Sequence, residues 1–290
     1  MFEESVKNLR KVTFDFVKTC FPPLDRQINK SNLGRLIIVG GSTNYVGAVL
    51  FAAEAAMRVG LGTSMIAVPS SISSDIRQRV LYSGIYPLAD NGGSIIFDEK
   101  EIENLLNGAT ACVLGVGGGN GEFGKIANFL CDNSDLNFVL DADGFKTVSD
   151  KKKFGYRAVF TPHPKEFSRL TGICVNDILN NPVKLAEKYA AEHEVVLLLK
   201  GYKTIITDGS QTVLNDVGSP KMAKGGSGDV LSGVIGSLLA RGIAPFTAAA
   251  AGAYMCGKAA CISDVNEYSF LPTDTIDCIV KVIDELTLTN

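Results

Sequence analysis

A short apolar run, then a glycine or polar turn, then an amphipathic stretch recurs along most of this 290-residue chain, and that recurrence limits the folds open to it. The runs Arg35 to Val39, Ser64 to Val68, Ala111 to Val116, Asn137 to Leu140, Ala158 to Thr161, Val195 to Leu199 and Lys203 to Thr207 read as strands, with helical patterns between most of them. Such alternation predicts an α/β fold, a largely parallel central sheet with helices on both faces. Ligands of such sheets gather beyond the carboxyl ends of the strands, so the polar residues there matter most. Residues 246 to 263 and 272 to 287 read as helices closing one face. Phe2, Val6, Leu9, Phe16 and Val17 recur at helical intervals, which predicts a peripheral helix over residues 1–20. No repeat or long linker divides the chain, so one domain over residues 1–290 is expected.

Composition removes several function classes. A 46% apolar content supplies a sizeable core, and a net charge of −3 with no basic run argues against nucleic-acid binding. The cluster Lys151 to Lys153, flanked by Asp150, reads as a solvated turn. Seven cysteines form no CxxC pair and several lie in apolar stretches, which fits a reduced, cytoplasmic setting. The acidic start, with Glu3 and Glu4, does not resemble a signal peptide. Phe246 to Gly257 is uncharged but far shorter than the ~20 residues a membrane span needs, so no membrane partner is expected.

Three glycine-rich turns compete for a phosphate-binding role. Gly225-Gly226-Ser227-Gly228-Asp229 opens directly into the helix-patterned run Val230 to Arg241. Such a turn offers unpaired backbone N–H groups and the positive end of a helix dipole to an anion. Asp229 would repel phosphate, so it reads either as a base taking a proton from a hydroxyl during phosphoryl transfer or as the helix N-cap. Val230, Leu231, Val234, Ile235, Leu238 and Leu239 make one apolar stripe that would fix this helix in place. Gly233 and Gly236 inside it each cost about 1 kcal/mol of propensity, which suggests close contact with another backbone. Gly242 supplies a C-terminal cap.

The turn Gly40-Gly41-Ser42, followed by Gly47 and Ala48, fits neither a P-loop nor a dinucleotide fingerprint. The turn Gly115 to Gly124 contains a literal G-x-G-x-x-G at Gly119, Gly121 and Gly124, with Asp141 about 20 residues on, as a dinucleotide-dependent oxidoreductase would require. At other strand ends, His163 lies between Pro162 and Pro164, extended and able to donate to a polar substrate or simply exposed. His193, between Glu192 and Glu194, reads as a solvated helix end. Lys200 and Gly201 leave a very apolar strand, where the cation would meet phosphate or reach water and the glycine would admit an adenine ring.

Taken together, these turns resemble one family, the NAD(P)H-hydrate dehydratases of the ribokinase-like superfamily. The resemblance spans about Pro22 to Glu285 and rests on Lys30 through Arg35, Gly41-Ser42 with Tyr45-x-Gly47-Ala48 and the Gly115 to Gly119 turn. It rests further on Asp141-Ala142-Asp143, Thr161 through Glu166 with Leu170-Thr171-Gly172, Lys200-Gly201 with Thr204, and Met222 through Leu231. Val116, Gly118, Ser219 and Ser31 depart from the family pattern, as does the lack of a histidine over Tyr254 to Lys258.

The resemblance implies that Ala48, Gly119 and His163 face a hydrated nicotinamide nucleotide, NADHX or NADPHX, and that Asp229 acts on its hydroxyl. It implies that Lys200, Gly201, Tyr202, Lys203, Thr204 and Gly228 frame ADP or ATP, and that Gly226, Ser227 and Gly228 stabilise the migrating charge. Mg²⁺ is expected on the donor phosphates, with no protein residue assigned to it. A homo-oligomer and a separate NAD(P)HX epimerase chain are the expected partners. A small-molecule kinase sharing the Gly225 to Asp229 turn, and an oxidoreductase using the Gly119 turn, are the alternative functions.

Overall fold

Every side chain from Leu36 to Val39 is shut off from solvent, yet successive residues join different cores, Leu36 and Ile38 on one face and Ile37 and Val39 on the other. A strand apolar on both sides belongs in the middle of a sheet covered twice. The computed structural model describes residues 4, 6–148 and 152–288, so Phe2 and part of the lysine cluster lie outside the described residues.

The first half of the chain runs β1 (Arg10–Lys11), α1 (Phe14–Lys18), β2 (Arg35–Val39), α2 (Gly47–Arg58), β3 (Thr63–Pro69), α3 (Ser73–Arg77) and β4 (Ser83–Leu88). A small hairpin, β5 (Asp90–Asn91) and β6 (Ser94–Ile95), leads to α4 (Glu99–Leu106), β7 (Ala111–Leu114), α5 (Phe123–Asn133), β8 (Asn137–Leu140) and β9 (Ala158–Phe160). Then follow α6 (Pro164–Thr171), α7 (Val175–Asn180), α8 (Pro182–His193), β10 (Val196–Leu199), β11 (Thr204–Thr207) and β12 (Thr212–Asn215). The helices α9 (Ser227–Ala240), α10 (Pro245–Ile262) and α11 (Pro272–Leu288) close the chain.

Among the described residues the main sheet has ten strands in the order β1-β12-β11-β10-β9-β8-β7-β2-β3-β4. All its pairings are parallel except β10 with β11 and β11 with β12. Helices α2, α9, α10 and α11 cover one face, and α4, α5, α6 and α8 the other. The expected α/β architecture is therefore present, with strand limits shifted by a residue or two.

The N-terminal expectation needs correction. Residues 1–20 do not form one helix: Arg10 and Lys11 pair in parallel with Val213 and Leu214, and α1 starts only after Thr13, whose Oγ1 accepts the Phe16 N–H at 3.3 Å. The apolar spacing arises because the chain crosses the sheet edge. Val6 and Leu9 pack on one face, and Val12, Phe14, Phe16 and Val17 on the other.

Helix α9 is the central post of its layer, buried from Val230 through Ala240. It begins three residues earlier than the apolar stripe indicates and is followed by Gly242 at φ 86°. Gly233 does face another backbone: a Cβ there would stand 2.1 Å from the Ala52 carbonyl oxygen of α2. Gly236 meets strand side chains instead, Val113 and Leu36. Because neither helix can yield without disturbing the sheet beneath it, Gly233→Ala should destabilise the fold by about 1–3 kcal/mol, the usual range for overpacking. Denaturant unfolding of the purified variant checks this.

Candidate functional site

The site is assembled where β8, β9 and β10 end and α9 begins. Directly after β8, Asp141 and Asp143 flank Ala142, whose φ of 48° is a left-handed conformation rarely held by a residue with a side chain. That bend sends the two carboxylates to different tasks. Asp141, only 2% exposed, accepts from Lys200 Nζ at 2.9 Å and from Ser232 Oγ of α9 at 2.9 Å. Asp143 accepts the Gly119 N–H at 2.8 Å and pairs with Lys146 at 2.7 Å.

Lys200 leaves β10 into this arrangement rather than into water, with Glu166 Oε2 also 3.8 Å away. Burial works against its charge, but Asp141 and Glu166 outweigh it and hold its pKa above the ordinary lysine value. His163 is the N-cap of α6. Its Nδ1 accepts the N–H groups of Lys165 at 3.1 Å and Glu166 at 3.2 Å, while Glu166 returns a bond to the His163 N–H at 2.8 Å. With Nδ1 occupied as an acceptor, the proton of the neutral ring sits on Nε2. Burial chiefly, against the pull of Glu166, pushes the ring's pKa below its usual value.

Gly226 caps α9 at φ 97°, so Asp229 is the third helical residue and not the N-cap. Ser227 N–H is engaged by Lys224 O at 3.3 Å, whereas Gly226 and Gly228 show no acceptor for theirs among the described residues. Gly228 lies against the Asp141–Lys200 pair: a Cβ there would be 3.4 Å from Lys200 Nζ and 3.5 Å from Asp141 Oδ2. The Asp229 carboxylate makes no hydrogen bond or ion pair to another described residue. Burial, then the charges of Asp141 and Asp143, push its pKa up to about 7 against the opposing pull of Lys200. A base poised near neutrality can take a proton from a hydroxyl.

A cavity of about 810 Å³ opens beside this helix end, within the size range of ligand sites. His163, Lys200, Gly201, Tyr202, Thr204, Ser227 and Gly228 are among its walls, which brings seven of the expected residues together. Lys203 lies instead on a neighbouring hollow of about 180 Å³, its cation 5.5 Å from the centre of the Tyr202 ring. Ala48 and Gly119 belong to a second cluster. Gly117 would touch Ala48 if it carried a Cβ, at 2.5 Å, and Gly119 would approach Ser42 at 3.2 Å. Asp141 to Asp143 joins the two clusters, Asp143 holding Gly119 and Asp141 holding Lys200.

Some sequence readings change. Asp141 is taken up by Lys200 and Ser232, so it is not placed as the ribose-binding acid of a dinucleotide fold, and Gly124 is packed against Thr147. His193 is not simply solvated, for its ring stacks on Tyr189 at 4.2 Å. Asn215, Val217, Gly218, Ala253 and Cys256 also line the cavity and were given no site role by the sequence reading. Only the position of Asn215 at the end of a strand could have signalled it. Among the described residues no three His, Cys, Asp or Glu side chains gather into a metal cage.

Residues 36–281 match the family model described as NAD(P)H-hydrate dehydratase. An ADP-dependent (S)-NAD(P)H-hydrate dehydratase of Cenarchaeum symbiosum is 33% identical over 252 residues, covering 86% of this chain and 88% of that protein. A bifunctional NAD(P)H-hydrate repair enzyme of Hyperthermus butylicus is 35% identical over 91% of this chain, which spans only 50% of that relative's length. The crystal structure of the ADP/ATP-dependent NAD(P)H-hydrate dehydratase of Bacillus subtilis, co-crystallised with ATP and Mg²⁺, superposes with a TM-score of 0.84 at 26% identity, covering 96% and 99% of the two chains. A ribokinase of Thermotoga maritima shares the fold at a TM-score of 0.53 and 14% identity, covering 86% and 99%.

The raised Asp229 pKa has a stability signature. The unfolded carboxyl titrates near the ordinary aspartate value of 3.8 and the folded one at about 7, so the folded state carries a cost for this charge that is absent below about pH 4 and complete above about pH 7. Asp229→Asn should therefore stabilise the protein, and the gain should grow as pH rises from 4 to 7 and then level off. Thermal unfolding of both proteins across that range tests it, and a gain independent of pH would refute it.

Proposed function

Since this chain belongs to the NAD(P)H-hydrate dehydratase family, we propose that it restores the S forms of NADHX and NADPHX to NADH and NADPH by a nucleotide-dependent dehydration. The observation that carries this reading is Asp229, an unpaired carboxylate with a pKa of about 7 at the N-terminus of a buried helix. Asp229 takes the proton of the hydroxyl on C6 of the hydrated ring as that oxygen attacks the terminal phosphoryl group of the donor. Free N–H groups of Gly226 and Gly228 stabilise the charge that moves with the phosphoryl group. Hydroxide is a poor leaving group and phosphate a good one. The ring nitrogen's electrons then expel phosphate, and loss of the proton on the adjacent C5 from the resulting iminium regenerates the dihydropyridine, which accounts for nucleotide consumption by a lyase.

Ala48, Gly119 and His163 hold the hydrated nicotinamide nucleotide in this reading, with the Nε2–H of His163 as donor. Lys200, Gly201, Tyr202, Lys203, Thr204 and Gly228 frame the donor. ADP is the expected donor, giving AMP and phosphate, with ATP also accepted. Mg²⁺ would travel on the donor phosphates and offset their charge, with no protein residue assigned to hold it. One catalytic domain spans the chain, acts in the cytoplasm and assembles as a homo-oligomer. No helix of the described residues is long and apolar enough to cross a membrane. The chain spans about half of the bifunctional relative's length.

The test is to incubate the protein with NADHX, Mg²⁺ and ADP or ATP and to follow the dihydronicotinamide absorbance. Recovery should require nucleotide, and its rate should fall as pH drops through about 7 because Asp229 becomes protonated. Asp229→Asn should cut turnover by at least ~10²-fold, a usual contribution of a general base, while nucleotide binding survives. Full activity in that variant would remove the base assignment, and donor hydrolysis without recovery would point to a kinase.

A further inference from the structure

The loop that carries Gly119 has little reason of its own to hold one shape. Five of the seven residues from Gly115 to Gly121 are glycine, and Gly115, Gly117 and Gly119 stand at φ 97°, 59° and 63°. Glycine has more conformations open to it than any other residue and loses the most freedom when it is ordered, so the order must be imposed from outside. The 3₁₀ turn Ala142–Thr147 imposes it. Asp143 Oδ2 accepts the Gly119 N–H at 2.8 Å, and Lys146 Nζ donates to Gly119 O at 2.7 Å and to Asn120 Oδ1 at 3.5 Å. Thr147 Oγ1 accepts the Gly124 N–H at 2.8 Å where the loop enters α5. Asp143 and Lys146 also pair with each other at 2.7 Å, so the two peptide groups of Gly119 are gripped by one carboxylate–ammonium unit.

That grip decides what a ligand can find there. The Gly119 N–H is already taken by Asp143, so a molecule packed on this residue meets a bare α-carbon whose place is set by the two side chains behind it. Lys146 has three donors and three acceptors around them, Gly119 O, Asn120 Oδ1 and Asp143 Oδ1, which leaves none for a phosphate. Resting on the reading that Gly119 borders the hydrated nicotinamide nucleotide, we propose that Lys146 is a positioning residue for that substrate: with Asp143 it holds the Gly119 peptide groups in the shape the substrate packs against, without touching the substrate itself. A binding surface built on backbone is only as well placed as the groups that support it. The donor cavity, walled by other segments, does not depend on this grip.

Steady-state kinetics of the intact protein separate this role from a general tether. NADHX, NADPHX and ADP are each varied at saturating partner, in the unaltered protein and in Lys146→Met, which keeps the aliphatic stem and removes the donors. The KM for NADHX and that for NADPHX should rise together by about fivefold to tenfold, less than a buried charged hydrogen bond would give because the Lys146 side chain is 44% exposed, while kcat and the KM for ADP stay within about twofold. Lys146→Arg, which keeps the charge and the donors, should recover most of the loss. An unchanged KM for NADHX overturns the proposal, as does an equal rise in the KM for ADP, the mark of a loosened fold. A loss confined to NADPHX overturns it as well, since Lys146 would then be a phosphate ligand. If the methionine variant does not fold, Lys146→Gln, which lacks the charge and the reach, is read in its place. Failure of the unaltered protein to restore NADHX would instead overturn the functional reading, and this proposal with it.

Discussion

The contact between Asp141, Lys200 and Ser232 is what the site depends on. It ties the ends of β8 and β10 to the second turn of α9, three elements that nothing in the local chain connects. An ion pair whose carboxylate is shut off from solvent contributes little net stability, but removing the lysine strands a buried charge and costs about 3–5 kcal/mol. Its value lies in position. Held against Gly228, the pair fixes where the helix end lies and sets the field around Asp229.

That field is a compromise between opposite charges. Lys200 alone would make Asp229 a weak base, and Asp141 with Asp143 alone would favour its protonated form. Burial, the largest influence, together with these three charges leaves a group able both to accept a proton and to release it near neutrality. A rigid support is needed for such a balance, since Coulomb energies change steeply with distance at short range. Helix α9 supplies it, buried along its length and seated on α2 through Gly233.

Much of this was legible in the chain. Continuous apolar runs such as Leu36 to Val39 and Val196 to Leu199 announced central strands, and the Gly226 turn announced a helix N-terminus. Strands with mixed exposure did not declare themselves. Ser83–Leu88 carries Gly84 and Pro87 at a sheet edge, and Thr212–Asn215 is defined by a turn in which Asp208 accepts the N–H groups of Ser210 and Gln211. The partners of Asp141 were equally hidden, being 59 and 91 residues away. Two prolines made His163 look like an extended, open donor, but the short reach of imidazole to the next N–H groups turned it into a cap.

The borders of the main sheet bear on how copies of this chain can meet. One border is β1, two residues long, and the other is β4, where Pro87 lacks an N–H to offer a neighbouring strand. Short or proline-bearing borders resist the addition of another strand. Continuous sheets running from subunit to subunit are therefore disfavoured, and any self-association is directed to helix flanks and loops.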